Sequence, residues 1–309
     1  MEFKHISVLL NESIELLNIN PDGIYVDGTL GGGGHAELVC QHLSGNGRLI
    51  GIDQDSAAIA AATKRLAKFA PRVTIVHDNF RNIKDILCNL EIDEIDGAIL
   101  DLGVSSHQLD IPERGFSYHS DAPLDMRMNT DAAKSAHTVV NTYSEEELTR
   151  IMFEYGEERF SRRIARKIVQ AREVAPVETT FELVDIIKSA IPGFADKHPA
   201  KRTFQAIRIE VNDEISLLKQ AIFDFFDVLT VGGRLCVISF HSLEDRIVKQ
   251  TFAKFVGKCT CPGDFPICVC GKVMKGKLIT RKPTTASESE LSSNNRAHSA
   301  KLRCIEKVV

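Results

Sequence analysis

Short apolar runs alternate with amphipathic stretches along the first third of the chain. Four runs have the composition of buried strands, at 23–27, 48–53, 73–76 and 96–100. The stretches 36–43 and 56–69, which lie between strands, have helical spacing, and the second is rich in alanine. Because strands that alternate with helices form parallel sheets covered on both faces, this part of the chain is predicted to be an α/β domain.

The middle of the chain has a different pattern, with helical periodicity and little strand signal over 134–191. Ser144 with Glu147, and Thr179 with Glu182, have the spacing of capping boxes, in which the two side chains bond to backbone N–H groups at a helix start. An all-helical segment is therefore predicted here.

The last third returns to strand signals. A long helix is predicted over 203–229, with Gly232-Gly233 as its stop. Buried strands are predicted at 234–239 and 301–309, and the polar stretch 257–298 is predicted to be irregular. The simplest organisation is an α/β domain split by a helical insertion, with a first part at 1–109, the insertion at 110–203 and a second part at 204–309.

The bulk composition is that of an ordinary globular protein, with 43% hydrophobic and 26% charged residues among 309. No apolar run reaches the ~18 residues of a membrane helix, and no secretory signal is evident, so we expect a cytoplasmic protein with no membrane partner. In that compartment the eight cysteines are expected to be thiols or metal ligands and not disulfides.

The net charge of −4 conceals a basic C-terminal region. From Arg246 onwards there are 13 Lys and Arg against 4 Asp and Glu, which is a local charge of +9 and leaves −13 for the rest. A basic tail on an acidic body indicates either a polyanionic partner or a solvated tail, and charge alone does not separate the two.

A glycine-rich loop, 28–34, follows the first predicted strand. Glycines let the backbone approach a ligand closely, and the helix that follows offers free N–H groups. Asp53 ends the next strand, 19 residues after Gly34, where a carboxylate can accept hydrogen bonds from both ribose hydroxyls. The arrangement predicts an adenosine-containing cofactor.

The loop alone leaves two cofactors open. Gly31, Gly33 and Ala36 satisfy the dinucleotide spacing G-x-G-x-x-G/A, so NAD fits the motif. Two features favour S-adenosylmethionine. Phe80 follows the third strand, where an apolar ring can cover an adenine, and the polar run 101–106 ends the fourth strand at the ligand-binding edge of such a sheet.

Seven ordered blocks spread over the whole chain resemble the signature of one family, the bacterial 16S rRNA cytosine-N4 methyltransferases, which modify a cytosine in the decoding centre of the small subunit. The blocks are 27–35, 101–106, 113–117, 123–128, 155–160, 198–212 and 239–246. The chain departs from the family pattern near its end, where 294–300 reads Asn-Asn-Arg-Ala-His-Ser-Ala and lacks a proline and an arginine; this concerns the tail conformation and one phosphate contact.

The resemblance implies an α/β fold: a Rossmann-like class I methyltransferase core with an inserted all-helical domain. It implies 16S rRNA as the partner, within the small ribosomal subunit, and leaves a homodimer open. It also implies S-adenosyl-L-methionine as cofactor, with contacts from Gly33, Gly34, His35, Asp53, Phe80, Asp101 and Gln108.

Asp101 is the predicted catalytic residue. Methyl transfer from a sulfonium depends on orientation more than on a strong base, but the lone pair of cytosine N4 is delocalised into the ring. An acceptor facing the amine would favour the pyramidal nitrogen that attacks. A purely cofactor-binding role for Asp101 is the alternative. Val104 stands where many amino-methyltransferases carry an aromatic residue, so Phe116, Tyr118 or Phe240 would have to stack on the base.

Local structural roles are open to two histidines of the seven blocks. His35 begins a helix and is expected to contact cofactor or cap backbone. His241, beside Ser239 and Ser242, has the look of a hydrolase pair, but the chain has no G-x-S-x-G elbow.

Four arginines are predicted to line one face of a helix, opposite Phe160, Ile164 and Ile168. This basic face is either solvated or in contact with RNA phosphates. The presence of four arginines favours the RNA contact. The four are Arg159, Arg162, Arg163 and Arg166.

Four cysteines, Cys259, Cys261, Cys268 and Cys270, form a compact cluster. Their C-x-C spacing is less usual for zinc than C-x-x-C, so no metal ligand is assigned.

Two other functions of the protein remain as alternatives: an NAD-dependent dehydrogenase and a non-catalytic RNA-binding assembly factor.

Overall fold

The computed structural model describes residues 7–192, 198–257 and 273–309. Within them lies a seven-stranded sheet of order β3-β2-β1-β4-β5-β7-β6. The strands are β1 Ile24–Asp27, β2 Arg48–Asp53, β3 Val73–His77, β4 Ile95–Asp101, β5 Leu229–Ser239, β6 Gly276–Leu278 and β7 Lys301–Lys307. The helices are α1 Leu10–Leu17, α2 Gly34–His42, α3 Ser56–Leu66, α4 Ile83–Asn89, α5 Ser106–Asp110, α6 Ala136–Thr142, α7 Glu145–Glu154, α8 Ser161–Arg172, α9 Thr180–Ala190, α10 Lys201–Asn212, α11 Leu218–Asp227, α12 Ser242–Phe255 and α13 Glu288–Ser293.

Strands β1 to β5 run parallel, and β1 lies between β2 and β4, with Val26 paired to Ile50 on one side and Ala98 on the other. Strand β7 is antiparallel to both β5 and β6. Parallel strands end at the same edge of a sheet, so the carboxyl ends of β1, β2 and β4 meet at the centre of one edge. The predicted α/β, Rossmann-like fold class is confirmed.

Central strands are buried on both faces, which is why their sequences are continuous apolar runs. Val26 and Ile50 point into a cluster that contains Phe225 and Phe252. Their neighbours on the same strands, such as Tyr25, belong to a second cluster on the other face. Successive side chains of a strand alternate between faces, so two cores follow directly from this composition.

The chain forms two compact units, one comprising Met1–Gly103 with Ser216–Val309 and the other Val104–Ile215. The second unit is helical and has its own core, in which the apolar faces of α7, α8, α9 and α10 meet. The helical segment predicted at 110–203 falls inside this unit. The capping boxes at Ser144 and Thr179 are both formed as predicted.

Three local predictions were wrong. The single helix predicted over 203–229 is two helices, α10 and α11, because Asp213 adopts a left-handed φ of 53° and ends α10. Gly232-Gly233 is not the stop of a helix but part of the irregular start of β5, between the pairs Leu229–Ile95 and Arg234–Gly97. The region 257–298 is not wholly irregular, since it contains β6 and α13.

Among the helices of the described residues, none combines the length and apolar character needed to cross a bilayer.

Candidate active site

Three aspartates end three neighbouring parallel strands: Asp27 ends β1, Asp53 ends β2 and Asp101 ends β4. Asp27 is buried, with 2% of its surface exposed, and the other two are half-buried. Strand ends at the edge of an open α/β sheet are where ligands of such folds bind. The sheet therefore places three carboxyl groups at its expected ligand edge.

The glycine loop packs tightly over this edge. A Cβ on Gly28 would lie 2.4 Å from a methyl group of Leu100 on β4, so a larger residue would push the loop off the sheet. Gly33 has a left-handed φ of 77° and precedes the first residue of α2, a conformation that favours glycine. The predicted strand–loop–helix arrangement is therefore present, with the start of α2 next to the loop.

Asp53 binds the glycine loop through one oxygen and the start of α3 through the other. The Gly31 N–H donates to Oδ2 at 2.7 Å, and the Asp55 N–H donates to Oδ1 at 2.8 Å. Each carboxylate oxygen has a second lone pair, so the two can still accept from a ligand's hydroxyl groups. The side chain thus has a structural role that its sequence position did not reveal, and it keeps the capacity for the predicted ribose contact.

Asp101 has an acceptor that no described residue uses. Its backbone N–H donates to Thr29 Oγ1 at 2.6 Å, which ties β4 to the glycine loop. Its Oδ1 atom is buried and has no hydrogen-bond partner among the described residues. Buried polar atoms without a partner are rare in proteins and often mark a position where a ligand binds.

Burial and neighbouring charges raise the pKa values of these carboxyl groups. Burial raises the pKa of Asp27 to about 7; the Thr29 N–H opposes this rise, and the charge of Asp53 adds to it. Burial also raises the pKa of Asp53. Burial, Asp27 and the buried Glu244 of α12 raise the pKa of Asp101 well above its usual range. A cation bound beside these groups would lower their pKa values again, because it favours the ionised carboxylates.

Replacing Asp27 with asparagine should remove a pH dependence of stability. A raised folded-state pKa stabilises the fold fully below the unfolded value of about 3.8, and this stability is lost as pH rises towards about 7. Between about pH 4 and 7 the unfolding free energy of the cofactor-free wild type should therefore fall relative to that of Asp27→Asn, by about 1.4 kcal/mol per pH unit. Urea unfolding of both proteins across this range measures the difference, and parallel pH curves would refute the role of Asp27.

Phe80 and His35 flank the glycine loop. Phe80 begins a short 3-10 turn (Phe80–Asn82) after β3, packs on the apolar cluster of that face, and its Cβ lies 3.3 Å from the position of a Cβ on Gly28. The His35 ring is buried, and its Nε2 lies 3.1 Å from the carbonyl oxygen of Val8. Phe80 is thus adjacent to the loop as the adenine contact requires, whereas His35 contacts the N-terminal segment.

Gln108 lies on α5, in the second unit, and takes part in a capping box. Its Oε1 accepts from the Ser105 N–H at 2.9 Å, and Ser105 Oγ accepts from the Gln108 N–H at 3.2 Å. The side chain is buried. In the structure, Gln108 therefore stabilises the N-terminus of α5.

His241 caps α12 and does not have the environment of a hydrolase base. Its Nε2 lies 3.1 Å from Glu244 Oε1, and the other oxygen of Glu244 accepts from the Phe240 N–H at 2.8 Å. Ser239 Oγ is directed to the carbonyl of Lys301, at 3.4 Å. Capping of α12 therefore explains the position of the His241 side chain, and the contact with Lys301 explains that of Ser239.

The basic residues 159–167 lie in the second unit. Helix α8 begins at Ser161 with Phe160 as its N-cap, so the prediction that Arg159 lies on the helix was wrong; it precedes the helix. The buried residues of α8 include Ile164 and Ile168, and its arginines at 162, 163 and 166 are exposed. Arg166 forms an exposed ion pair with Glu145 at 3.5 Å. Exposed ion pairs of this kind contribute little to the stability of the fold. The cysteines at 259, 261, 268 and 270 lie outside the described residues.

Sequence reasoning missed three groups of this site: Asp27, Thr29 and Glu244. Asp27 had the same strand-end signal as Asp53 and Asp101, and that signal was sufficient to find it. Nothing in the linear sequence relates Thr29 or Glu244 to Asp101, because they reach it from a loop and a helix that are distant along the chain.

The edge combines a ribose-compatible carboxylate and a loop–helix start with an acidic cluster. A sulfonium bound at this edge would favour the ionised carboxylates and be balanced by them, whereas the pyrophosphate of NAD would disfavour their ionisation. The class of protein that this fold and edge define is the S-adenosylmethionine-dependent methyltransferase.

Comparison with known proteins identifies the family. The sequence matches the model of the MraW methylase family over residues 2–308, and the chain belongs to that family. It is 57% identical to the Ribosomal RNA small subunit methyltransferase H of Lachnospira eligens, over 100% of this chain and 99% of the relative. Proteins of the same name from Clostridium botulinum (strain Loch Maree) and Ruminiclostridium cellulolyticum are 58% and 56% identical, each over the full length of both chains. Membership in a methylase family argues against the dehydrogenase and the non-catalytic alternatives.

Proposed function

We propose that this chain transfers a methyl group from S-adenosylmethionine to the exocyclic N4 of a cytosine in 16S rRNA. The single observation that carries the proposal is that the buried Oδ1 of Asp101, at the ligand edge of the sheet, has no hydrogen-bond partner among the described residues. The names of the relatives support a ribosomal RNA substrate of the small subunit. The N4 position comes from the family resemblance and from the need of an amine for an acceptor.

The residues present fit the cofactor. Asp53 would accept from the ribose hydroxyls, and Phe80 would cover the adenine. The rest of the cofactor would be bordered by Gly33, Gly34, His35 and Gln108. The cluster of Asp27, Asp53 and Asp101 would balance the positive charge of the sulfonium. When bound, the cofactor supplies an electrophilic methyl group.

Asp101 would act on the nucleophile. Its Oδ1 is held in place, because the backbone of Asp101 is tied to Thr29 and β4 is paired on both sides. An N–H of the cytosine amine would donate to this oxygen, which orients the nitrogen and favours its pyramidal form. The contribution of the chain is therefore orientation and a fixed acceptor, with no strong base.

The exposed arginines of the second unit would contact RNA phosphates. Arg162, Arg163 and Arg166 lie on α8, and Arg159 lies two residues before it. Arg162 and Arg163 have no carboxylate within ion-pair distance among the residues described here, so their charges are available to a polyanion. Guanidinium groups bind phosphate oxygens in pairs of hydrogen bonds. The substrate in this proposal is the small ribosomal subunit, in the cytoplasm; a homodimer is not required.

Mass spectrometry of small-subunit rRNA nucleosides tests the proposal. Nucleosides from cells with and without the gene are compared, and the expected result is loss of N4-methylated cytidine, with restoration by the wild-type gene. The purified chain and small subunits, with isotopically labelled S-adenosylmethionine, should reproduce the product. An unchanged nucleoside profile would refute the substrate.

Replacing Asp53 with alanine should weaken binding of the cofactor or its demethylated product by about 1–3 kcal/mol, since two hydroxyl groups lose their acceptor. Calorimetry measures the affinity. Because Asp53 also accepts from Gly31 and Asp55, Asp53→Asn is the matched variant, which keeps one acceptor oxygen and should lose less. Thermal unfolding of both variants separates loop damage from the lost ligand contact, and unchanged affinity in Asp53→Ala would exclude the ribose assignment.

A further inference from the structure

Three polar aromatic rings lie together in the second unit, at Tyr118, His119 and His198; they are called the ring cluster below. The Tyr118 and His198 centroids are 4.5 Å apart with planes inclined by 17°, which is a stacked pair. The His119 ring lies 4.5 Å from Tyr118 and 5.6 Å from His198, and is tilted to both. Phe204 meets Tyr118 edge-on at 5.6 Å.

The cluster is supported from inside and open outside. Phe204 is buried in the core of the second unit, and Tyr118 packs against that core. Tyr118 and His198 are half-buried, whereas His119 is exposed. A cluster formed only to stabilise the fold gains little from an exposed imidazole, because an exposed ring gives up little contact with water.

One cationic side chain, that of Lys188 on α9, lies near the ring cluster. Lys188, on α9, and His119 are both close enough to lower the pKa of His198, which burial lowers most. The Lys188 ammonium is 3.4 Å from Asp185, in an exposed ion pair one helical turn apart. Such pairs are weak in water, so Lys188 can exchange this partner for a phosphate.

We propose that the ring cluster is a stacking site for an unpaired RNA base, with Lys188 as the contact of an adjoining phosphate. Unpaired bases in RNA are recognised by stacking on Tyr, His and other ring side chains, and a nearby cation holds the backbone. The inference rests on the proposed function, which makes RNA the substrate, and adds which side chains receive a base.

The test uses three histidine variants and Lys188→Gln, all in the full chain. His119→Ala removes the exposed ring, and His119→Phe keeps a ring without an imidazole. His137→Ala is the matched control, since His137 is another histidine of the second unit with a partly exposed side chain, 3.4 Å from Glu178. Thermal unfolding should show all three variants folded, because neither histidine is in the core.

The probe is a short single-stranded RNA with one 2-aminopurine, whose fluorescence falls when the base stacks. We expect His119→Ala to weaken binding about 5- to 150-fold, the range for loss of one base-stacking side chain, and to abolish the quenching. His119→Phe should bind and quench like wild type, and His137→Ala should change neither. Lys188→Gln should reduce the slope of log affinity against log salt by about 1.

The two proposals fail differently. Methyl transfer to small subunits is measured on the same samples. If the wild type methylates cytosine and His119→Ala binds RNA with unchanged affinity and quenching, the stacking site is wrong and the proposed function stands. If the wild type methylates no cytosine, the proposed function is wrong, whatever the ring variants do to RNA binding.

Discussion

Replacing Asp101 with asparagine should lower the single-turnover rate of methyl transfer at least ~10²-fold, the usual effect of removing one preorganised electrostatic partner. The variant keeps the shape of the side chain but removes its charge and replaces one acceptor oxygen with an N–H donor. That donor would face the amine of the cytosine, so the fixed acceptor becomes a repulsive contact. The backbone bond from Asp101 to Thr29 is unaffected, and the strand should stay in place.

The rate should also depend on pH through this residue. The pKa of Asp101 is raised by burial, Asp27 and Glu244, and only the carboxylate offers an acceptor at every oxygen lone pair. The rate should therefore rise with pH up to the pKa of Asp101, and Asp101→Asn should lack this rise. A single-turnover pH profile of both proteins, at saturating cofactor, measures it.

Asp96→Asn is the matched control, because Asp96 is a carboxylate on the same strand at the opposite end, where its Oδ2 accepts from the Ile24 N–H at 2.7 Å. It should leave the rate near wild type. Cofactor affinity, measured by calorimetry, should fall much less than the rate in Asp101→Asn, because Asp27 and Asp53 remain to balance the sulfonium. If that variant instead loses cofactor affinity and regains the full rate at saturating cofactor, Asp101 binds the cofactor and does not act on the amine.

Neutralising Arg162, Arg163 and Arg166 together should flatten the salt dependence of RNA binding. Each phosphate contact contributes about 0.7 to 0.9 to the slope of log affinity against log salt, because binding releases condensed counterions. Between about 50 and 200 mM salt the wild type should then lose about 20- to 40-fold more affinity than a triple glutamine variant. Binding of small subunits in a salt titration measures this difference, and cofactor affinity should be unchanged.

A control with the same loss of charge separates local contacts from net charge. Lys64, Lys249 and Lys254 are exposed and belong to the first unit. Their triple glutamine variant should keep the wild-type slope. If both triple variants show the wild-type slope, the arginines of α8 are solvated; if both flatten it equally, RNA responds to overall charge and not to this face.

The sequence by itself determined the fold class and most of the ligand edge. Strand, loop and helix signals at 23–53 are local, because alternation, glycine and capping chemistry act over a few residues. The α/β arrangement then requires strand ends to meet at one edge, so Asp53 and Asp101 could be placed near each other without coordinates. The split of the predicted helix at Asp213 was missed, since a non-glycine residue with positive φ leaves no signal in composition.

Only the tertiary structure decided which polar atoms lack partners and which rings meet. Asp101 Oδ1 is buried and accepts no hydrogen bond from any described residue. The backbone N–H of the same residue donates to Thr29 Oγ1. Tyr118 and His198 stack although 80 positions separate them in the sequence. The burial, pKa and stacking of a side chain depend on all the residues that surround it in space. Those residues come from segments that are distant along the chain, so no local sequence pattern predicts these properties.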